Sequence, residues 1–506
     1  MSNTVSSRHE SDLGGRFLPF GETDQVAVTV VVATETAHLA SVQHAAWMLL
    51  NLLSRQLGVI SQIGLICPTD VAQTCRLTPL ASSALDLRKA LITGSEAIGV
   101  VPVVPDVAVG RLLVVGETGQ AEPDRLYVQG NGWCGGISVA PIDTAGKSSD
   151  LPFGPYIAAC MAAGEVFKAA RLKQGTYSSP ESAFYSAWTR CVSTSCDPAG
   201  PMEIQRKVNF ALGGVGAVGC AFLHTLDCTP GLSGDVLIAD DDGKGLDRSN
   251  LNRYVLFSSE SIGKQKATEA ARLLAGSTLV FDPHDRPLED MASTPMIVVS
   301  AVDTNPSRAA IQNRYPAQIL SASTHDLRAE VLRCGPPGVG ACLRCYNPPE
   351  IAKSDKQIAL EIQNMSDGDL AEYAKVAGVT VMEARQWAES QKCGMAGEGV
   401  LRHFRETEPR PYGFAVGFVS VMAGTLLAAE LVMGELGVGA NSRKGNRSVF
   451  QFWSPSAATN RSSDYVRDPA CPMCRPDSTA VRMWNDRLQK LRSTVEKKLE
   501  ASAFRP

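Results

Sequence analysis

The sequence predicts an α/β protein of two Rossmann-like halves, the second carrying a glycine-rich nucleotide loop, a helical insertion and a cysteine knot. Three observations predict it. Runs such as Val26–Ala33 and Met296–Ala301 are almost wholly apolar and β-branched, which suits buried parallel strands. Such runs alternate with helical stretches through both halves, the pattern of a layered α/β fold. The loop Gly213-Gly214-Val215-Gly216-Ala217-Val218-Gly219 lies between a strand and a helix. Glycines placed there let the backbone approach a phosphate or ribose closely.

In the first half the predicted elements are strand Val26–Ala33, helix Ser41–Leu57, strands Val59–Cys67, Arg111–Val115 and Tyr127–Ala140, and a small-residue helix over Pro152–Leu172. Ser178–Met202 reads as a connector. The second half begins with strand Lys207–Leu212, the glycine loop, helix Val215–Leu226 and strand Asp235–Ala239. Helix Ile262–Ala275 and strand Met296–Ala301 follow. Lys353–Gln391 is polar and helical, with Ser366-x-x-Asp369 as a helix-start signal. Tyr412–Met433 is a second small-residue helix, and Thr479–Leu499 is a charged terminal helix. The expected division is a tail (1–25), a first α/β domain (26–177), a connector (178–204), a nucleotide domain (205–352 and 404–476), a helical insertion (353–403) and a terminal helix (477–506).

The halves read as a pseudo-repeat. Pro152-Phe153-Gly154 opens one Ala/Gly-rich helix containing Glu165, and Pro411-Tyr412-Gly413 opens the other, containing Glu430. The first half has no glycine fingerprint, since its first strand leads into Ala33-Thr34-Glu35-Thr36-Ala37-His38. It is therefore expected not to bind a nucleotide.

Bulk properties narrow the class. A chain of 506 residues suggests about three domains. Hydrophobic content of 44%, charged content of 20% and a net charge of −4 are ordinary for a globular protein, and point to neither nucleic acid nor a membrane. Val416–Met433 comes nearest to a membrane span, but it is rich in Gly, Ala and Ser and carries Glu430. The first 25 residues lack the basic-then-apolar order of a signal peptide. Fourteen cysteines, ten of them outside CxxC pairs, suit a reducing cytoplasm.

A lone Gly214-x-Gly216-x-x-Gly219 fingerprint, with Asp240 placed 21 residues on to bond a ribose hydroxyl, fits a nicotinamide enzyme as well as an ATP enzyme. The residues that follow favour a triphosphate. Asn250, Asn252 and Arg253 in Ser249-Asn250-Leu251-Asn252-Arg253, with Lys266 or Lys264, supply amides and cations for phosphate charge. Asp303 lies just past a strand, with Arg308 five residues on, and suits magnesium. Asp241 or Asp242 could replace Asp240. Cys342-Leu343-Arg344-Cys345 and Cys471-Pro472-Met473-Cys474 form two hooks that suit a closed structural zinc site. Cys393 in Lys392-Cys393-Gly394 is the candidate reactive thiol, since Lys392, Arg402 and His403 would favour its thiolate. Cys334 is the alternative.

From Val208 to about Ala458 these motifs resemble the ThiF/MoeB/ubiquitin-activating superfamily. The resemblance implies ribose contacts from Asp240, with Asp242 a further acidic candidate. It also implies phosphate contacts from Asn250, Arg253 and Lys266, magnesium on Asp303, and a thioester cysteine in the crossover region of Cys393. Thr304 stands where asparagine is common, and the acidic stretch Asp240–Gly245 looks slightly longer than usual. The implied function is ATP-dependent adenylation of a ubiquitin-like protein ending in glycine, then thioester formation and transfer to a conjugating enzyme. The first half would be a degenerate partner, giving a monomer with an internal pseudo-dimer, or a homodimer. The helical insert and Ala/Gly-rich composition look like bacterial members. Activation of a sulfur-carrier protein is the alternative within this chemistry. A nicotinamide-dependent oxidoreductase or a non-catalytic scaffold are the alternatives outside it.

Overall fold

The computed structural model describes residues 25–142, 148–172, 182–196, 199–241, 243–292, 295–347, 355–377, 379–390, 416–438, 445–456 and 459–503. They divide into two compact units. The larger comprises 1–347 and 414–506, and the smaller comprises 348–413.

Among the described residues of the larger unit, sixteen strands form two eight-stranded sheets with one shared topology. The first contains β1 (Val26–Val32), β2 (Ile60–Ile66), β3 (Val103–Pro105), β4 (Arg111–Val115), β5 (Arg125–Asn131), β6 (Cys134–Ser138), β7 (Ser182–Ser186) and β8 (Cys191–Ser193), in the order β3-β2-β1-β4-β5-β6-β7-β8. The second contains β9 (Arg206–Gly213), β10 (Leu232–Ala239), β11 (Leu279–His284), β12 (Ile297–Ser300), β13 (Gln318–His325), β14 (Arg328–Cys334), β15 (Arg447–Gln451) and β16 (Arg461–Ser463), in the order β11-β10-β9-β12-β13-β14-β15-β16. In each sheet the first five positions pair in parallel and the last three add antiparallel strands. The pseudo-repeat expected from the two Pro-aromatic-Gly helices is thus a repeat of whole sheets.

Three of the expected elements differ in the structure, and strands β3, β11 and β13–β16 with the helices Leu87–Ile98 and Asn305–Gln312 were not expected. The strand expected over Tyr127–Ala140 is the hairpin β5–β6, because Gly132 takes φ +56 and turns the chain. The stretch expected as connector carries β7 and β8, which complete the first sheet. The helix expected over Ile262–Ala275 shortens to Lys266–Leu273, preceded by a 3-10 turn at Ser259–Ser261 and by Gly263 at φ +83.

The central helices of the two halves are buried along most of their length. All fourteen residues of α1 (Ala40–Leu53) are buried, and α2 (Leu87–Ile98) lies beside it. α3 (Phe153–Arg171) packs on both α1 and α11 (Gly417–Glu435), and α11 packs on α4 (Ala217–Asp227). Apolar residues of both halves therefore form one continuous core. α11 is long and apolar enough to span a membrane, but 94% of it is buried inside the fold. The glutamates of the two small-residue helices are also buried, each in an ion pair. Glu165 bonds Lys168 at 2.6 Å, and Lys168 donates to the carbonyl of Phe452 at 2.6 Å. Glu430 bonds Arg190 of the first half and lies 3.3 Å from Arg333 of the second. Buried charges persist only when paired in this way.

The smaller unit holds the helices Asp355–Asn364, Asp367–Ala377 and Val381–Ser390, packed around Ile362, Leu370, Ala384 and Trp387. The expected start signal is a cap, since Ser366 Oγ accepts the Asp369 amide at 3.2 Å. A second box joins Thr380 and Glu383, whose carboxylate accepts the Thr380 amide at 2.8 Å while Thr380 Oγ1 accepts the Glu383 amide at 3.2 Å.

Candidate active site

A cavity of about 490 Å³ opens beyond the carboxyl ends of β9, β10, β12 and β13. Parallel α/β sheets bind ligands at this edge, because helix amides and loop side chains converge there.

The glycines at its floor do different work. Gly214 takes φ +93, and its amide donates to Ala239 at 2.8 Å; a Cβ on it would lie 2.8 Å from the Ala301 carbonyl oxygen. Gly219 lets α4 sit on the loop, since a Cβ there would lie 2.1 Å from the Gly214 oxygen. Gly216 caps α4 and faces open space, where a Cβ would meet only Tyr254 Oη at 3.7 Å. Gly214 and Gly216 line the cavity, and Gly219 supports it from behind.

Asp240, at the end of β10, accepts the Val215 amide at 2.6 Å through Oδ2, while Oδ1 lies 3.9 Å from Lys266 Nζ. Its carboxylate thus fixes the glycine loop and a cation together. Asp241 also lines the cavity and is exposed. Asp242 lies outside the described residues.

Arg253 ends a 3-10 turn over Arg248–Asn252. Asn250 shapes that turn: its Oδ1 accepts the Asp247 amide at 2.9 Å, and Asp247 in turn accepts the Ser249 amide at 2.8 Å. Asn250 does not line the cavity, whereas Arg253 and Tyr254 do. Arg253 Nη1 donates to Ser249 O at 2.8 Å and to Asn252 Oδ1 at 2.7 Å. Its guanidinium lies 5.1 Å from the Tyr254 ring centroid, and Lys266 Nζ lies 5.8 Å from the same ring. The two cations are only 8% and 7% exposed, so solvent screens them little.

Asp303 is exposed and lines the far wall with Ser307 and Arg308. Thr304, at the position where asparagine was expected, caps the next helix by accepting the Ser307 amide at 3.2 Å. Arg308 donates to Asn305 at 2.9 Å, and burial lowers its affinity for a proton while the Asp303 carboxylate raises it. Tyr254, Ser323, Thr324 and Ser420 also line the cavity, although no motif in the sequence marks them. Tyr254 directly follows Arg253, and Ser323 and Thr324 sit at the end of a parallel strand, so strand-end topology was the available signal.

The four hook cysteines converge as expected. Cys342 Sγ lies 3.8 Å from Cys345 Sγ and 3.7 Å from Cys471 Sγ, and Cys345 Sγ lies 3.3 Å from Cys474 Sγ. Tetrahedral zinc–thiolate bonds place sulfurs roughly 3.8 Å apart, so the cluster fits a zinc ion. All four are buried, and Tyr465 closes the knot by donating to the Cys345 carbonyl at 3.2 Å. Cys334 is 1% exposed in β14, and burial raises its thiol, which disfavours a reactive thiolate. Cys393, with Lys392, Arg402 and His403, lies outside the described residues. His224, Asp227 and Cys228 form a second cluster, but each is engaged: His224 with Trp47 and Tyr156, Asp227 with Arg76, Cys228 with the Leu77 carbonyl.

The ThiF family matches residues 198–473 of the chain. The uncharacterized protein y4jF of Sinorhizobium fredii is 29% identical over 246 residues, covering 47% of this chain and 46% of its own length. Human ubiquitin-like modifier-activating enzyme 7 is 37% identical over 81 residues, covering 15% of this chain and 8% of its own. The chain thus spans less than half the length of either relative. Among solved structures, E. coli MccB with ATP aligns at 17% identity over 53% of this chain and 66% of that one, with a TM-score of 0.35. E. coli MccB alone aligns at 16% identity over 53% and 65%, also with a TM-score of 0.35.

Proposed function

Because the chain belongs to the ThiF family, we propose that it activates the C-terminal carboxylate of a ubiquitin-like protein with ATP. The observation that carries this reading is the meeting of Arg253, Lys266, Asp303 and the open face of Gly216 on one cavity.

In this reading a carboxylate oxygen of the partner attacks the α-phosphorus of ATP. The bond from that phosphorus to the bridging oxygen breaks, pyrophosphate leaves, and an acyl-adenylate remains. The attacking carboxylate is already charged and needs no general base; the task is alignment and charge neutralisation. Gly216 gives the phosphates room, Arg253 and Lys266 take up their charge, and the Tyr254 ring faces both cations. Asp240 or Asp241 receives the ribose hydroxyls. Asn250 serves by setting the turn that aims Arg253. Asp303 would hold magnesium, which neutralises phosphate oxygens when bound. Zinc on Cys342, Cys345, Cys471 and Cys474 would tie the residues after β14 to those before the terminal helix. One nucleotide would bind per chain.

The second step assigns Cys393 as nucleophile. Its thiolate attacks the acyl carbon, AMP leaves with the bonding electron pair, and a thioester forms for a conjugating enzyme in the cytoplasm. The test is ATP–pyrophosphate exchange with a ubiquitin-like protein ending in glycine. Exchange should require that protein and be lost when its terminal glycine is removed; exchange indifferent to the partner would overturn the reading. Cys393→Ala should keep the exchange and lose a reductant-sensitive adduct. Exchange with no such adduct in the parent chain would transfer the assignment to sulfur-carrier activation.

A further inference from the structure

The segment that carries Arg253 is fastened by the half that lacks a glycine loop. Arg55 lies just past Ser54, the cap of α1, and is wholly buried. Its Nε donates to Asn51 Oδ1 at 2.7 Å, its Nη1 to the carbonyl of Leu251 at 2.7 Å, and its Nη2 to the carbonyl of Phe257 at 2.8 Å. Asn51 Nδ2 donates to the carbonyl of Val255 at 3.0 Å. Three backbone carbonyls of the stretch 251–257 therefore end on two side chains of the other half, and Arg253 and Tyr254 stand in the middle of that stretch. α11 supports it from a further side. A Cβ on Gly417 would lie 3.4 Å from the Asn252 oxygen and 3.5 Å from Arg253 Cα.

Physical cost makes this arrangement specific. A buried cation loses most of its hydration and is kept only where its donors are satisfied. Burial pulls the guanidinium down to about 9, which still leaves it charged at neutral pH. An irregular segment has no ladder for its carbonyls, so each needs a donor from elsewhere. The planar fork of arginine spans two carbonyls at once, which a lysine ammonium does not reproduce.

We infer that Arg55 is a positioning residue for Arg253: the half without a glycine loop holds, through Arg55 and Asn51, the backbone from which Arg253 reaches the triphosphate. This inference rests on the ATP reading above. Its signature is selective, because Arg253 meets phosphates and not the nucleoside.

The test uses the full chain and calorimetry with ATP and, separately, adenosine. Arg55→Lys should weaken ATP binding about tenfold and leave adenosine within about twofold. In an Arg253→Ala background the same change should cost nothing further. Equal losses for ATP and adenosine would mark a merely structural role and overturn the inference. So would parent-like ATP affinity in a folded Arg55→Lys protein, or a full additional loss beside Arg253→Ala. Should Arg55→Lys fail to fold, Asn51→Ala removes the Val255 bond and the acceptor of Arg55 Nε, leaves both carbonyl bonds of the guanidinium, and is read by the same three criteria. A parent chain that binds no ATP removes the adenylation reading, and the clamp with it. A parent that binds ATP beside variants that bind it equally well removes the clamp alone.

Discussion

Trp47 donates its indole N–H to His224 Nε2 across 3.3 Å, joining the central helix of the first half to the helix behind the glycine loop. Tyr156, also of the first half, stacks on the same imidazole with its hydroxyl 3.3 Å from Nε2. A second imidazole, His44, meets Tyr156 edge-on and lies 3.2 Å from the Asp150 carbonyl. The seam between the halves is thus lined by neutral histidines.

Acid should loosen that seam. Burial lowers His44 from 6.5 to about 4 and His224 from 6.5 to about 3. Above pH 6.5 both are neutral folded or unfolded, and no penalty exists. As pH falls below 6.5 the unfolded chain takes up protons that the fold refuses, so stability drops until about pH 4 for His44 and about pH 3 for His224. Between pH 6.5 and 5 each costs about 2 kcal/mol. Asp227, raised by burial, opposes this at the acid end. Urea unfolding at pH 7 and pH 5 should show the loss, and His224→Gln should remove about half of it. An unchanged pH dependence in that variant would refute the assignment.

Cys471→Ser should leave the chain with little bound zinc and a lower melting temperature, since three thiolates hold the ion far less tightly than four. Metal analysis of freshly purified parent protein giving less than about half an equivalent would dismiss the zinc assignment.

Replacing Arg253 by alanine should slow ATP–pyrophosphate exchange about 10²-fold or more, the usual cost of losing one donor to developing charge. Asp303→Ala should abolish exchange at ordinary magnesium with little change in the melting temperature, because the carboxylate is exposed. Parent-rate exchange in the Asp303 variant would move the magnesium role to another acid.

Gly219→Ala should destabilise the chain by about 1–3 kcal/mol, because its Cβ would press on the backbone oxygen of Gly214 and push α4 off the loop. Gly216→Ala, which meets open space, should leave the urea midpoint nearly unchanged and weaken ATP binding. The opposite ranking would reverse the roles given to the two glycines.

Local features were legible in the sequence. Val26–Val32 and Ile297–Ser300 declared themselves as buried strands by composition, and the glycine loop, Arg253, Lys266 and the cysteine hooks by spacing. β7 and β8 were not, since they run only three to five residues and are partly polar, and β3 (Val-Val-Pro) is too short for run length or alternation to mark it. Arg55 was invisible for another reason. Its partner Leu251 lies 196 positions away, and nothing near Arg55 distinguishes it from a surface arginine at a helix end. The same distance hid Trp47 from His224, 177 positions apart. Charge clusters around a ligand can be read along the chain, whereas the contacts that aim them belong to the third dimension.

The identical strand order of the two sheets has a genetic consequence. In a dimer of like chains every substitution is made twice, once in each copy, so a supporting surface cannot change without altering the working one. Two copies in one reading frame escape that coupling. The first sheet could give up its glycine turn and put Asn51 and Arg55 against its neighbour, while the second kept its strand-end cavity. Division of labour of this kind is closed to a dimer of identical chains and open to two halves whose sequences differ.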